Sequence, residues 1–171
     1  MGLSTPLSLR ARALAYLAQR EHSRTELRRK LLQLLRRQAL TAGGAPDTAE
    51  RHGQEEDQVD ALLNTLTQEG WLSDSRYMES RLRSRAPRLG ARRLAAELAQ
   101  QGLKPDGETW EQVQASEAER AQALLQRRFG DEPPTDAKER ARRVRFLMAR
   151  GFAQGLALRL TRAGASAASL D

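Results

Sequence analysis

The scarcity of β-branched residues constrains the fold of this chain more than any other feature. Its 171 residues include three valines and no isoleucine, against 27 leucines and 27 alanines. Alanine, glutamate, lysine, leucine and arginine together account for 97 residues, a composition typical of helical proteins. Because β-sheets favour β-branched and aromatic side chains, the sequence excludes a β-rich fold and predicts an all-α one.

The chain also carries an excess of positive charge. Lysine and arginine number 29 and aspartate and glutamate 22, which gives a formal net charge of +7 at pH 7. Such an excess favours a polyanionic partner such as nucleic acid. A solvated basic surface without a partner is the alternative, because 26 arginines against three lysines also reflect the codon usage of a GC-rich genome.

Several protein classes are excluded by what the sequence lacks. It has no cysteine, which rules out disulfides and thiolate metal sites. No apolar run reaches the roughly 18 residues of a membrane span, and no signal peptide is recognisable. We therefore expect a soluble cytoplasmic protein that does not bind membranes.

Caps, apolar faces and helix stops divide the chain into nine predicted helices. The first is predicted to begin at Thr5, with Pro6 in its first turn. Ser23 and Glu26 have the spacing of a capping box at the start of the second helix. Later helices are predicted to begin at Ser73 or Asp74, Ser116 and Asp136, and to end near Gly70, Pro87, Gly102, Gly130 and Gly151.

Nine helices in this order predict an elongated array of three tandem three-helix modules. A weak repeat supports the division, since Leu98-x3-Gly102 and Leu147-x3-Gly151 recur 49 residues apart. The predicted parts are a first module at 1–72 with a flexible insertion near 39–55, a second at 73–115, a third at 116–163 and a disordered tail at 164–171.

Structural roles are predicted for one group of apolar and glycine residues. Trp71 and Tyr77 are interpreted as core residues and not as stacking platforms for unpaired bases, whereas both roles stay open for Trp110. The residues predicted to be structural are Trp71, Leu72, Tyr77, Gly90, Gly102, Gly151 and Phe152.

No catalytic constellation can be assembled from the titratable side chains. The only histidines, His22 and His52, are interpreted as residues of a helix junction and of a loop. The acidic cluster at residues 55–60 has the chemistry for a hard cation, but carboxylates at a helix start more often complement the helix dipole. The sequence therefore predicts neither enzyme activity nor a cofactor or metal ion.

The richest basic run extends from residue 76 to residue 93 and holds seven arginines against one glutamate. Arginine suits phosphate or carboxylate partners because its planar guanidinium donates two parallel hydrogen bonds. A solvated helix face is the alternative. The predicted binding residues are Arg76, Arg81, Arg83, Arg85, Arg88, Arg92 and Arg93, with smaller sets at Arg28, Arg29 and Lys30 and at Arg142 and Arg143.

Four stretches, in order along most of residues 10–162, together resemble one known family. They are Arg20–Leu31, Gly70–Tyr77 with the arginines that follow it, Gly90–Leu94, and the segments Phe129-Gly130, Lys138–Arg142 and Phe146–Phe152. The chain resembles the RecX family of bacterial regulators of the RecA recombinase. It departs from the family pattern in the longer 39–55 stretch, in Leu35 where a glycine is common, and in Ala91 where a proline often stands.

The resemblance implies a regulator without enzyme activity. Such a protein would lie along the RecA filament on single-stranded DNA, hinder filament extension, and lower ATP hydrolysis and strand exchange during recombination and repair. The implied partners of this predicted monomer are the RecA filament and single-stranded DNA, with double-stranded DNA as a further candidate. The alternatives are a DNA-binding module of helix-turn-helix type and a helical scaffold whose charge only keeps it in solution.

Overall fold

The computed structural model describes residues 7–41 and 48–162, and over these residues the protein is helical without a strand. The predicted all-α fold is therefore confirmed. The helices are α1 (Leu9–Gln19), α2 (Arg24–Thr41), α3 (Ala49–Gln68), α4 (Asp74–Arg85), α5 (Ala91–Ala99), α6 (Gly107–Ala115), α7 (Glu117–Phe129), α8 (Ala137–Met148) and α9 (Gln154–Leu160), with a short 3₁₀ turn at Ala86–Arg88.

The chain divides into two compact units, Met1–Met78 and Glu79–Asp171. In the first unit, leucines of α2 and α3 pack against Ala13 of α1 and against Leu72. In the second unit, α7, α8 and α9 enclose a core that includes Leu125, Leu147 and Phe152. The finer division into three modules stays a prediction.

The start of α1 differs from the sequence prediction. The predicted helix start at Thr5 and Pro6 lies outside the described residues, as does the predicted tail at 164–171. The described helix begins at Leu9 behind Ser8, whose hydroxyl accepts a hydrogen bond from the Ala11 amide at 3.2 Å.

The loop predicted at residues 39–55 is largely helical. Residues 39–41 belong to α2 and residues 49–55 to α3, and only residues 42–47 lie outside the description. Thr48 caps α3 by accepting from the Arg51 amide, and the Arg51 and Glu55 side chains pair one turn apart at 2.9 Å. His52 is consequently a helix residue, and the acidic cluster at 55–60 lies inside α3 and not at its start.

Three predicted caps are confirmed and one is wrong. The Ser23, Ser73 and Asp136 side chains accept from the backbone amides three residues ahead, at 3.0, 3.2 and 2.7 Å. Ser116 precedes α7 as predicted, but its side chain makes no capping bond to the helix amides; its hydroxyl donates to the Gln112 carbonyl at 2.7 Å and accepts from Arg120 Nε at 3.3 Å. The competing acceptor is the exposed C-terminal end of α6, which finishes immediately before Ser116.

The ends of α5 and α8 are the same hydrogen-bonded motif. Gly102 and Gly151 have positive φ, and the residue after each glycine donates to the carbonyl of the leucine five positions back, Leu98 or Leu147. At the end of α3, after Gly70, this bond is shifted by one residue, because the donor to Leu66 is Leu72 and not Trp71.

The sequence predicts Trp71 as a core residue, and this prediction is wrong because of the shifted bond. Leu72 follows its hydrogen bond into the core of the first unit, where it is 3% exposed. Trp71 is left outside the motif and is 56% exposed. Tyr77, the other aromatic residue assigned to the core, is buried, and Trp110 is partly buried.

Within the second unit, Gly90 packs directly on the turn between α8 and α9. The Gly90 amide donates to the Arg150 carbonyl at 2.9 Å. A Cβ atom at Gly90 would meet the Phe152 nitrogen at 2.3 Å and the Gly151 carbonyl at 2.4 Å, and one at Gly151 would meet the Arg93 Cβ at 2.4 Å. This backbone contact fixes the start of α5, and with it the arginines that α5 carries.

Candidate partner and nucleic-acid interface

Three arginines of the second unit converge on one carboxylate, that of Glu97. Arg85 makes the closest contacts, with its Nη2 at 2.8 Å from Oε1 and its Nε at 3.4 Å from Oε2. Arg81 approaches Oε2 at 3.3 Å and Arg93 approaches Oε1 at 3.8 Å. We call these four residues the Glu97 arginine cluster.

Helical spacing builds this cluster. Arg81 and Arg85 lie one turn apart on α4, and Arg93 and Glu97 lie one turn apart on α5. The start of α5 is held in place by Glu117, whose carboxylate accepts from the Ala91 amide at 2.7 Å. The cluster is therefore set by two helices and a cap.

The electrostatics of the cluster are unbalanced. The hydrogen bond from Arg85, with the charges of the other two arginines, outweighs burial and holds the pKa of Glu97 below its ordinary value. The same bond raises the pKa of Arg85. Three cations share one anion, so the cluster has a formal charge of +2 while its arginine side chains stay 40 to 54% exposed.

Other arginines extend the positive charge around the cluster. Arg88 and Arg92 are exposed, and neither forms an ion pair with another described residue. Arg83 pairs with Glu79 at 2.6 Å on the surface of α4. Residues 79–97 hold six arginines and two glutamates, a formal charge of +4. We call residues 79–97 the basic segment.

Arg76, predicted to belong to the same run, has a different environment in the first unit. Its guanidinium donates to the carbonyls of Gly70 and Trp71 at 3.0 Å each and to the Glu21 carboxylate at 2.9 Å. These bonds hold the turn at the end of α3 and use three of the five N–H donors of the guanidinium.

The predicted set on α2 is mostly engaged in contacts of its own. Arg28 binds Asp60 at 2.8 Å and Glu56 at 2.8 Å, which ties α2 to α3. Lys30 Nζ lies 2.9 Å from His22 Nε2 and 5.0 Å from the centre of the Tyr16 ring. Arg29 is exposed and makes no ion pair within the described ranges.

The two arginines predicted on α8 differ from each other. Arg143 is 6% exposed, donates to the Glu132 carbonyl and the Glu139 carboxylate, and lies over the Phe129 ring. Burial corrects its assignment to an accessible surface, because a partner cannot reach it. Arg142 is exposed, with its guanidinium carbon 5.6 Å from the centre of the same ring.

Sequence reasoning missed a partly buried ionic cluster in the first unit, in which His22 and Glu26 are buried and Arg20 and Lys30 lie at the surface. His22 is 1% exposed, and its Nδ1 lies 2.9 Å from the Arg20 carbonyl while Lys30 approaches Nε2. The Glu26 carboxylate binds Arg20 by two hydrogen bonds and lies 3.6 Å from Lys30. The spacing of residues 22, 26 and 30, one helical turn apart, is the sequence signal that could have indicated it.

Arg120, which the sequence analysis did not single out, has a structural role. Its guanidinium donates to the carbonyls of Ala86, Leu89 and Val113. Burial lowers its pKa. These bonds satisfy carbonyls around the 3₁₀ turn that precedes α5, so Arg120 also supports the basic segment.

Neither a metal site nor a membrane span is visible in the parts that the structure describes. No group of three or more histidine, aspartate and glutamate side chains there could hold a metal ion. No helix among the same residues combines the length and the apolar character of a membrane-crossing segment.

Comparisons with known proteins agree along nearly the whole chain. The RecX proteins of Ralstonia nicotianae and Ralstonia pickettii, both named regulatory protein RecX, are 48% and 46% identical to it over 157 residues. Each alignment covers 91% of this chain and 87% of the relative. A family model described as the third three-helix domain of RecX matches residues 115–160.

A solved structure shows the same fold. The crystal structure of RecX from Lactobacillus salivarius matches with a TM-score of 0.58, over 89% of this chain and 91% of that one. Its sequence identity is 18%, so the likeness extends to the fold alone.

Proposed function

This chain belongs to the RecX family of regulatory proteins, and from that premise we propose that it regulates the RecA recombinase by binding the filament that RecA forms on single-stranded DNA. In this proposal the protein acts in the cytoplasm, as a monomer and without chemistry of its own. It hinders extension of the filament, and thereby lowers ATP hydrolysis and strand exchange in recombination and DNA repair.

One observation carries the proposal, the 48% identity to a regulatory protein RecX across 91% of this chain. The distribution of charge supports it. The basic segment has a formal charge of +4, and arginines without ion pairs are suited to acidic protein surfaces and to phosphates.

The test is the DNA-dependent ATPase rate of the cognate RecA, measured with and without this protein. We expect substoichiometric protein to slow the ATPase, because a block to extension of a dynamic filament affects many RecA subunits at once. An unchanged rate at a one-to-one ratio would contradict the proposal.

A matched pair of charge reversals locates the contact. Arg88→Glu with Arg92→Glu alters exposed side chains of the basic segment, and Arg36→Glu with Arg37→Glu alters exposed side chains of α2. Each pair shifts the net charge by −4. We expect the first pair to relieve inhibition of the ATPase and the second to leave most of it, whereas equal relief would mean that only overall charge matters.

Direct binding to DNA is the second candidate function, favoured by the same +4 segment. A DNA-binding regulator of this kind would bind oligonucleotides without RecA, with an affinity that falls steeply as salt rises. Salt-dependent binding to DNA together with an unchanged RecA ATPase would favour this candidate over the first.

A further inference from the structure

The Glu97 arginine cluster has an arrangement that a structural ion pair does not need. A single arginine would neutralise the Glu97 carboxylate, yet three guanidiniums lie within 4 Å of it. Arg81 and Arg93 make the longer contacts, at 3.3 and 3.8 Å, and apart from a 3.4 Å bond from Arg93 Nη1 to the Ala149 carbonyl most of their N–H donors are not used in a close bond. The cluster therefore has spare donors and a spare charge of +2.

We propose that Arg81, Arg85 and Arg93 form a binding site for a phosphate group of a nucleic-acid backbone, and that Glu97 is the positioning residue that holds the three guanidiniums together. This inference rests on the proposed function, because it assigns the ligand group that the basic segment takes on the DNA of the filament. It goes beyond the proposed function because it assigns an acidic residue, Glu97, a role that promotes the binding of an anion.

Repulsion between the three guanidiniums makes a positioning carboxylate such as Glu97 necessary. Three guanidiniums at one place repel each other, and without a counter-ion the long side chains move apart into water. Glu97 is 17% exposed and lies on α5, so its carboxylate holds the three cations together before a ligand binds. A phosphate then meets donors that are already ordered, and little side-chain entropy is lost on binding.

The surroundings favour a phosphate chain over a carboxylate of a protein partner. A single carboxylate, like a single phosphodiester, carries one negative charge, so it would neutralise the cluster only in part and would leave Arg88 and Arg92 unmatched. A nucleic-acid backbone presents phosphates in succession, and these can meet the cluster and the two unpaired arginines of the same segment.

The test compares two substitutions that change the net charge equally. Glu97→Gln removes the positioning carboxylate, and Glu79→Gln removes the partner of one exposed arginine, Arg83, on the same segment. Binding to a fluorescent single-stranded oligonucleotide is measured without RecA over a series of salt concentrations. On charge alone, both variants would bind more tightly than the wild-type protein.

We expect the two variants to change affinity in opposite directions. Glu79→Gln should tighten binding slightly, whereas Glu97→Gln should weaken it by about tenfold, the loss of roughly one charge-assisted hydrogen bond, and should reduce the salt dependence. Equal tightening by both variants would overturn the proposal.

A measurement on the wild-type protein avoids dependence on how Glu97→Gln folds. Titration with inorganic phosphate, followed by the NMR signals of the arginine Nε–H groups, should shift Arg81, Arg85 and Arg93 more than Arg83. Equal shifts at all four overturn the site. Larger shifts with an oligoglutamate peptide than with an oligonucleotide also overturn it, since the ligand would then be a protein carboxylate.

These outcomes separate this inference from the proposed function. If the wild-type protein inhibits the RecA ATPase but does not bind the oligonucleotide, the phosphate site is contradicted and the proposed function is supported. If the protein binds the oligonucleotide through the cluster but leaves the ATPase rate unchanged, the phosphate site is supported and the regulatory role is contradicted.

Discussion

At the scale of the residue, Trp71 and Leu72 show how one hydrogen bond decides burial. Both are large and apolar, and they are neighbours in the chain. The Leu72 amide bonds to the Leu66 carbonyl, which carries the Leu72 side chain into the core and leaves the Trp71 indole in water. The sequence predicts structural roles for both residues, and composition and periodicity do not indicate that only Leu72 is buried.

Alanine substitutions at these neighbours should have very different costs. Leu72→Ala removes a buried side chain and should lower the free energy of unfolding by about 2–5 kcal/mol. Trp71→Ala removes an exposed one and should cost less than about 1 kcal/mol. Urea denaturation measures both, and similar costs would show that the indole packs on the protein in solution.

His22 illustrates a second effect at this scale, a buried base beside cations. Burial first, and then the charges of Arg20 and Lys30, lower the pKa of His22 from its ordinary 6.5, although the Arg20 carbonyl and Glu26 act in the opposite direction. Burial is the largest single effect on Glu26 and acts to raise its pKa, but the bond from Arg20 together with the charges of Arg20, His22 and Lys30 lowers that pKa below its ordinary 4.5.

Stability should consequently fall on mild acidification. Below pH 6.5 the unfolded chain takes up a proton at His22 that the folded chain resists, so acid favours unfolding and the stability present above this pH is lost as the pH falls. We expect a lower melting temperature at pH 5.5 than at pH 7.5. His22→Gln should reduce that difference and the control His52→Gln should retain it, whereas equal effects of the two substitutions would point to another group.

At the scale of the element, the helix ends are better predicted than the helix contacts. Ser23, Ser73 and Asp136 cap helices because the side-chain acceptor and the amide it binds are three residues apart, a local relation. The packing of Gly90 on the α8–α9 turn joins residues about 60 positions apart. Such a contact leaves no local pattern, so the sequence indicates only that a glycine stands there.

Two glycine-to-alanine substitutions test this contact with opposite expected signs. Gly90→Ala places a methyl group within 2.4 Å of the backbone of Gly151 and Phe152, and should destabilise the second unit by about 1–3 kcal/mol or more. Gly53→Ala lies inside α3 with no atom within 4 Å of the new Cβ, and should stabilise the protein by about 0.5–1 kcal/mol. Thermal melts compare them, and a neutral Gly90→Ala would mean that the contact is looser in solution.

At the scale of the whole molecule, composition predicts the fold class and the sign of the charge, but not which charges are free. The net charge of +7 does not depend on pairing. Pairing depends on residues that are distant in sequence, such as Arg28 with Asp60 and Arg76 with Glu21. For this reason residues 76–93 look like one basic run in the sequence. In the structure Arg76 is bound to Glu21, whereas Arg88 and Arg92 form no ion pair among the residues described.

The contact between Gly90 and Gly151 also bears on how related sequences can vary. Pairs of contacting residues are commonly detected in sequence alignments, because a substitution at one position is compensated by a substitution at the other. Here a Cβ at Gly90 would meet the backbone of Gly151 and Phe152, and a Cβ at Gly151 would meet the Arg93 backbone nitrogen at 2.6 Å, and no substitution makes a backbone smaller. Only glycine fits at each place, so neither position has a partner substitution to follow. A contact on which the placement of α5 depends would therefore leave no trace of covariation in an alignment of relatives.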